Sequence, residues 1–257
     1  MEEEKHYNFK DRTGEEIHSP SLGDVKIIAY RGTYDCDILV IDTEHILKNI
    51  SYGNIKLGCV RNPFLPVVFG KGFMGQGEYS SLNLDGSKTK EYNAWKVMLE
   101  RCYRLERSNR NKSYASVIVC EEWHNFQNFA KWFEENYIEG FQLDKDILST
   151  GVKIYSPETC CFVPQEINIF FIKESVNVGN YPVGVHLNKR SGSFISRITK
   201  FGKRFSLGSY KTVLEAKEAY DRAKEQYAKE LAEKWKDNLN ENIYNILINF
   251  KCDDKYS

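Results

Sequence analysis

The side chains most suited to chemistry in this sequence are a set of basic residues in its C-terminal third. Between Val183 and Lys211 the chain contains Lys and Arg but no Asp or Glu. Over its whole length it carries 36 basic and 36 acidic residues, so this positive charge is local and not part of a net excess. Such a concentration of cationic side chains favours binding to phosphate groups. The members of this basic set are Lys189, Arg190, Arg197, Lys200, Lys203, Arg204 and Lys211.

A second set of candidate residues lies upstream and is acidic. Asp144 and Asp146 are two positions apart in a segment with strand character, so their carboxylates share one face. Oxygen ligands of this kind bind divalent cations, so the pair is a candidate metal site. His124 lies in a neighbouring predicted helix, and an imidazole there beside Trp123 is typical of a structural residue.

The number and spacing of the cysteines favour a reducing compartment over a metal site. Seven are present, and no two form a CxxC pair. Four of them are candidate zinc ligands, namely Cys102, Cys120, Cys160 and Cys161. Their irregular spacing favours buried free thiols instead. No N-terminal apolar run resembles a signal peptide, so a reduced, cytoplasmic setting is expected. No window approaches the roughly 18 apolar residues of a membrane span.

The basic set is carried by residues 181–235, where three short alternating segments precede one amphipathic helix that opens at Thr212. This order predicts a three-stranded antiparallel sheet packed on a helix. Alternation turns one face of the sheet toward the helix stripe of Ala216, Ala219, Tyr220, Ala223 and Tyr227. The core-facing residues are Val185, Ser196, Ile198, Phe205 and Leu207. The opposite face carries His186, Asn188, Arg197, Thr199, Arg204 and Ser206.

The acidic set lies in a predicted ββα unit, in which the strands around Leu143 and Phe162 precede a short helix through residues 165–168. Helices are predicted over residues 91–104 and 121–137 from their apolar stripes. Earlier in the chain, the β-branched runs 25–30, 36–41 and 55–60 predict three strands. The glycine-rich run 70–77 lacks the Gly-Lys-Ser/Thr end of a phosphate-binding loop and is interpreted as an ordered connector.

The sequence therefore predicts a multi-module α+β protein. Its expected segments are a tail (1–18), a small all-β domain (19–85), the ββα module with flanking helices (86–176), the sheet-plus-helix domain (181–236) and a C-terminal helical extension (237–257).

Four segments of the middle region resemble bacteriophage proteins known as HNH endonucleases. They are 95–103 (WKVMLERCY), 119–123 (VCEEW), 143–146 (LDKD) and 155–160 (YSPETC). The resemblance implies a ββα module of the His-Me finger type, in which a histidine activates water and a divalent metal stabilises the leaving phosphate. It assigns the metal-ligand positions to Asp144 and Asn168.

This sequence departs from the family at two positions of that module. Lys145 stands where the general-base histidine belongs, so the catalytic set carried over is Asp144, Lys145 and Asn168. A lysine side chain is protonated at neutral pH and is a poor general base. His124, in the neighbouring predicted helix, is then the candidate substitute for that base. Thr159 corresponds to the central asparagine of the family. The resemblance thus predicts nuclease activity that is lost or weak.

Residues 184–228 resemble the DNA-binding domain of plant ethylene-responsive transcription factors, which also accompanies HNH modules in homing endonucleases. The resemblance implies that the outer face of the sheet enters the DNA major groove. Arg197 and Arg204 are then candidates for bidentate contacts to guanine, and Asn188 for a contact to adenine. Lys189, Arg190, Lys200 and Lys203 are expected at phosphates. A tryptophan common in that family is Ser206 here, and one of its arginines is His186.

Together, these features predict a phage protein of the host cytoplasm that binds duplex DNA through its C-terminal sheet. Two alternatives stay open. In one, the protein is an interaction protein that inhibits a host enzyme or an antiphage defence complex, such as a CRISPR nuclease. In the other, it is an active Mg²⁺-dependent endonuclease that nicks DNA.

Overall fold

The structure is a computed structural model, and it describes residues 10–104, 116–148, 151–171 and 181–252. The fold is α+β with several small sheets, as predicted. The chain divides into two compact units, residues 1–104 with 121–130 and residues 105–120 with 131–257. Within the described ranges, no helix has the length and apolar character that a membrane crossing requires.

The first unit contains a four-stranded antiparallel sheet in the order β1-β2-β3-β4. Alternate side chains of these strands, including Val25, Ile27, Ile38 and Val40, are buried in one core. Strand β1 pairs with β2 and begins within the segment predicted to be a loose tail. The strands are β1 (Glu16–Ser19), β2 (Gly23–Gly32), β3 (Asp35–Val40) and β4 (His45–Ile50).

The third strand predicted for this region, at residues 55–60, is wrong. The chain instead forms a short helix, α1 (Tyr52–Leu57), which buries Tyr52 and Ile55 one turn apart. Gly58 ends the helix in the left-handed conformation at φ 69°, and its N–H caps the carbonyl groups of the last turn. Of the residues that suggested alternation, Ile55 is buried in this helix, whereas Leu57 is 74% exposed.

Helix α2 (Lys90–Tyr103) agrees with its prediction, and its buried stripe includes Trp95 and Leu99. The predicted helix at residues 121–137 is divided into a 3-10 turn (Glu121–His124) and α3 (Phe126–Asn136). The indole N–H of Trp95 donates to the carbonyl of Trp123 at 2.7 Å.

The glycine-rich run is an ordered connector, as interpreted from the sequence. Phe73 exchanges backbone hydrogen bonds with the carbonyl of His124 and the N–H of Phe126, both at 2.9 Å. Gly72 passes so close to α2 that a Cβ atom there would lie 2.4 Å from Leu99. The glycines therefore permit close packing. Several N–H groups of the run already donate to carbonyls of the protein, those of Lys71, Gly72, Phe73 and Gly75.

The second unit contains the predicted ββα arrangement. Strand β6 (Gln142–Asp144) pairs antiparallel with β8 (Cys161–Val163), and α4 (Gln165–Phe171) follows β8. A separate two-stranded pair joins β5 (Ile118–Val119) to β7 (Ile154–Tyr155) in parallel. The loop predicted at residues 108–113 lies outside the described residues.

The C-terminal part of this unit forms the predicted three-stranded antiparallel sheet on a helix. The sheet has the order β11-β10-β9 and packs on α5 (Val213–Trp235), whose N-terminus carries a capping box between Thr212 and Glu215. Helix α6 (Glu241–Ile248) follows. The three strands are β9 (Val185–Leu187), β10 (Phe194–Lys200) and β11 (Lys203–Tyr210).

One hydrophobic core is common to the ββα arrangement and the C-terminal sheet and helices. Ile167 and Phe170 of α4 belong to the same buried cluster as Ile198 of β10, Leu231 of α5 and Ile243 of α6. The boundary expected near residues 176–181 therefore falls within one compact unit, and residues 172–180 lie outside the described ranges.

Candidate nucleic-acid interface

The strand register places the predicted outward-facing residues of the C-terminal sheet on one face. Arg197 pairs with Ser206, and Thr199 pairs with Arg204. Cross-strand partners share a face, as do residues two apart on one strand. Ile195 of the same strand pairs with His186 of β9, so this outer face extends across all three strands.

The two arginines of the outer face are diagonal neighbours on adjacent strands. Such positions place the Cβ atoms roughly 7 Å apart, which equals about two base-pair steps of B-DNA. Arg197 is partly buried and Arg204 is exposed. No acid partner is found for either guanidinium within the described part of the chain. Both are therefore available for an external anion.

The inner face agrees with the alternation, although a bulge interrupts β11. Val185, Ser196 and Ile198 are at most 4% exposed and lie against α5. A bulge leaves Leu207 without a ladder partner, because Ser196 pairs with Gly208 and Arg197 with Ser206. Leu207 packs on the core, whereas Phe205 stays 47% exposed on the edge strand. Phe205 pairs with the buried Ile198 and so lies on the helix side, as the alternation predicts, but its exposure shows that it is not a core residue.

Among the predicted phosphate contacts, Lys189, Arg190 and Lys203 are exposed at the turns and strand ends of the sheet. Lys200 is placed differently. Its ammonium contacts both carboxylate oxygens of Glu230 on α5, at 2.9 and 3.1 Å, and lies over the ring of Tyr227. Its side chain is thus engaged on the helix side of the sheet, away from the outer face.

Asn188 lies in the turn after β9, outside the strand ladder. Its side-chain oxygen accepts a hydrogen bond from the backbone N–H of Arg190 at 3.0 Å. A bidentate contact to adenine uses both the oxygen and the nitrogen of the amide. The hydrogen bond to Arg190 therefore competes with the adenine contact predicted for Asn188. The remaining uncharged polar candidates for base contacts on the outer face are His186, Thr199 and Ser206.

The ββα arrangement brings the candidate metal ligands onto adjacent elements. Asp144 ends β6, and its Oδ1 accepts hydrogen bonds from the N–H groups of Asp146 and Ile147 at 2.8 and 2.9 Å. Burial raises the pKa of the Asp144 carboxyl, while these two hydrogen bonds act in the opposite sense. The side-chain N–H of Asn168 donates to Gln142 at 2.9 Å.

These residues do not fit a hydrolytic Mg²⁺ site. One oxygen of Asp144 is occupied by backbone donors, and the adjacent position carries the buried ammonium of Lys145, which contacts Asp146. No group of three His, Cys, Asp or Glu side chains suited to a metal is found in the described ranges. We therefore derive no cleavage step from this module.

Thr159 performs a structural task in the loop between β7 and β8. Its hydroxyl accepts from the N–H of Ser156 at 3.0 Å and donates to the carbonyl of Ile154 at 2.8 Å.

His124, the candidate substitute base, belongs to the first unit, where its Nε2 lies 2.9 Å from the hydroxyl of Tyr103. Burial lowers the pKa of this imidazole.

The cysteines are free thiols. Cys160 and Cys161 are buried, and desolvation raises the pKa of each thiol to about 12. A thiol with such a pKa stays neutral at physiological pH and packs as a small apolar group.

Two features near the interface were not anticipated from the sequence. Gly184, with φ +82°, passes so close to Tyr220 that a Cβ atom there would lie 2.0 Å from the ring. Lys224 of α5 lines a cleft beside β10 together with Arg197 and Arg204. Glycine itself is a turn-type residue and is visible in the sequence at position 184. The position of Lys224 depends on tertiary packing and has no local sequence signal.

Comparison of the chain with protein-family models, curated proteins and solved structures found no match.

Proposed function

We propose that this protein binds duplex DNA through the outer face of the β9–β11 sheet. The observation that carries the proposal is the pairing of Thr199 with Arg204 and of Arg197 with Ser206. This register sets two guanidinium groups, for which the described residues provide no acid partner, on one solvent-facing surface. Arginine presents a planar fork of donors that matches O6 and N7 of guanine.

The charge distribution around this face supports the same conclusion. Residues 181–212 contain no Asp or Glu, so no carboxylate of these strands and turns opposes a phosphate. Lys189, Arg190 and Lys203 are exposed at the ends of the strands. In β-sheet DNA readers, such flanking cations contact the backbone and set the register, while the face itself contacts base edges.

The ββα arrangement contributes to this function as a support for the sheet. Its helix α4 shares the core with α5, and Glu166 of α4 accepts hydrogen bonds from Lys234 at 2.7 Å and from the indole of Trp235 at 3.1 Å. The absence of an imidazole at position 145 supports binding without hydrolysis.

Fluorescence anisotropy with a labelled duplex tests the proposal. Arg197→Gln and Arg204→Gln should each weaken binding by about tenfold or more, because a bidentate contact contributes roughly 1–3 kcal/mol. The matched control is Arg222→Gln, which removes the same charge from an exposed residue of α5. If all three variants retain wild-type affinity, the sheet is not the DNA-binding surface, and the interaction-protein alternative gains support.

A further inference from the structure

A cleft of about 400 Å³ lies at the edge of the C-terminal sheet, and its origin is the short first strand. Strand β9 pairs only with residues 194–196 of β10, which continues to Lys200. Before β9, Gly184 makes one more contact, accepting a hydrogen bond from the N–H of Arg197 at 2.9 Å. From Ile198 onward, no described strand covers this edge of β10.

The floor of the cleft is aromatic. Phe170 of α4 packs edge-on against Tyr227 of α5, with ring centroids 5.8 Å apart. Phe201, in the turn between β10 and β11, also packs edge-on against Tyr227, with ring centroids 5.0 Å apart. Tyr220 and Ile198 complete this surface. Aromatic floors of this kind stack or pack against planar heterocycles, whatever the identity of the base.

The rim of the cleft is cationic. Arg197 and Arg204 border it from the sheet, and Lys224 borders it from α5, with its ammonium 5.3 Å from the centroid of Phe170. No ion pair of Lys224 is found in the described ranges. The acidic residue of the lining, Glu166, is held by Lys234 at 2.7 Å. The cleft therefore presents unneutralised positive charge above an apolar floor.

We propose that this cleft binds a single nucleotide, with the base against the aromatic floor and the phosphate at Lys224 and Arg197. A volume of about 400 Å³ lies within the usual range of small-ligand sites. The inference rests in part on the proposed function, because Arg197 and Arg204 also belong to the outer face. The nucleotide has two sources: an unpaired position in DNA held on the sheet, or a free nucleotide.

Anisotropy with two labelled duplexes of one sequence tests the first source. One duplex is fully paired and the other carries one unpaired nucleotide. We expect the second to bind about tenfold more tightly, since stacking of one base is worth roughly 1–3 kcal/mol. Lys224→Gln should abolish that preference. Lys229→Gln, the same change at an exposed position of α5, should preserve it.

A second variant removes space without changing charge. Ile169, which lines the cleft from α4 and is 57% exposed, tolerates a larger side chain on its solvent side. Ile169→Trp should fill the cleft and abolish the preference while leaving affinity for the paired duplex unchanged. Thermal unfolding of each variant establishes that it is folded.

Equilibrium dialysis with a deoxynucleoside monophosphate tests the second source and separates the two proposals. Binding that Lys224→Gln weakens by about tenfold supports the cleft, even if neither duplex binds and the proposed function fails. Duplex binding with no preference for the unpaired nucleotide, together with no binding of the monophosphate, overturns the cleft and leaves the proposed function standing. A preference that survives both Lys224→Gln and Ile169→Trp also overturns it.

Discussion

A single methyl group at Gly184 should disrupt the packing of the C-terminal sheet on helix α5. The backbone of Gly184 has φ +82°, and an added Cβ would lie 2.0 Å from Cδ2 of Tyr220. The tyrosine cannot move outward, because only 7% of it is exposed and it belongs to the core that contains Ile198. Gly184→Ala therefore forces the chain before β9 away from the helix.

The expected loss follows from two separate costs. Holding a residue with a Cβ in the left-handed region costs about 1 kcal/mol. Forcing a methyl group into a packed core costs about 2 kcal/mol more. The control is Gly192→Ala, since Gly192 has φ +69° and no atom of the described residues lies within 4 Å of the added Cβ. Gly192→Ala should therefore carry the cost of the left-handed backbone but not the cost of overpacking the core.

Urea unfolding followed by far-UV circular dichroism measures both variants. We expect a free energy of unfolding that is lower by about 3 kcal/mol for Gly184→Ala and by about 1 kcal/mol for Gly192→Ala. Equal losses in the two variants would show that the sheet does not press on Tyr220 as the structure places it, and the reasoning would be refuted.

Three further predictions concern the core, pH and hydrolysis. Ser196→Ala should raise the free energy of unfolding by about 1 kcal/mol in urea titrations, because the buried Ser196 hydroxyl has no hydrogen-bond partner in the described ranges; a loss would contradict this. Burial holds the pKa of His124 below its ordinary 6.5, so protonation at lower pH favours the unfolded state. The free energy of unfolding of the wild type should therefore fall more than that of His124→Gln as the pH drops below 6.5, and equal losses would exclude the effect. Supercoiled plasmid with Mg²⁺ should stay intact, whereas nicking that Asp144→Ala abolishes would show an active nuclease.

Much of the C-terminal sheet was predictable because its periodicity is local. Alternation identified Ser196 and Ile198 as buried, and the helical spacing identified Ala216 and Tyr227. The bulge at Leu207 has no such signal, since it depends on which residues of β10 and β11 pair. Phe205 lies opposite Ile198 on the helix side, as alternation predicts, yet it is 47% exposed, because alternation gives the face of a side chain and not how fully the helix covers it.

The residues of the outer face were predictable for the same reason. The long-range contacts of residues near that face were not. Lys200 has the sequence context of a turn cation, yet its ammonium is captured by Glu230, thirty residues later on α5. The shared core of α4 with α5 likewise joins residues such as Ile167 and Leu231 that are distant in sequence. Periodicity within one element carries no information about such contacts.

The salt dependence of duplex binding tests most directly whether the outer face of the sheet binds DNA. Each phosphate contact contributes about 0.9 to the slope of log affinity against log salt. We predict that Lys189→Gln reduces this slope by about that amount, while Lys200→Gln leaves it unchanged because Lys200 is bound to Glu230. An unchanged slope for Lys189→Gln, or an equal reduction for Lys200→Gln, would contradict the proposed interface.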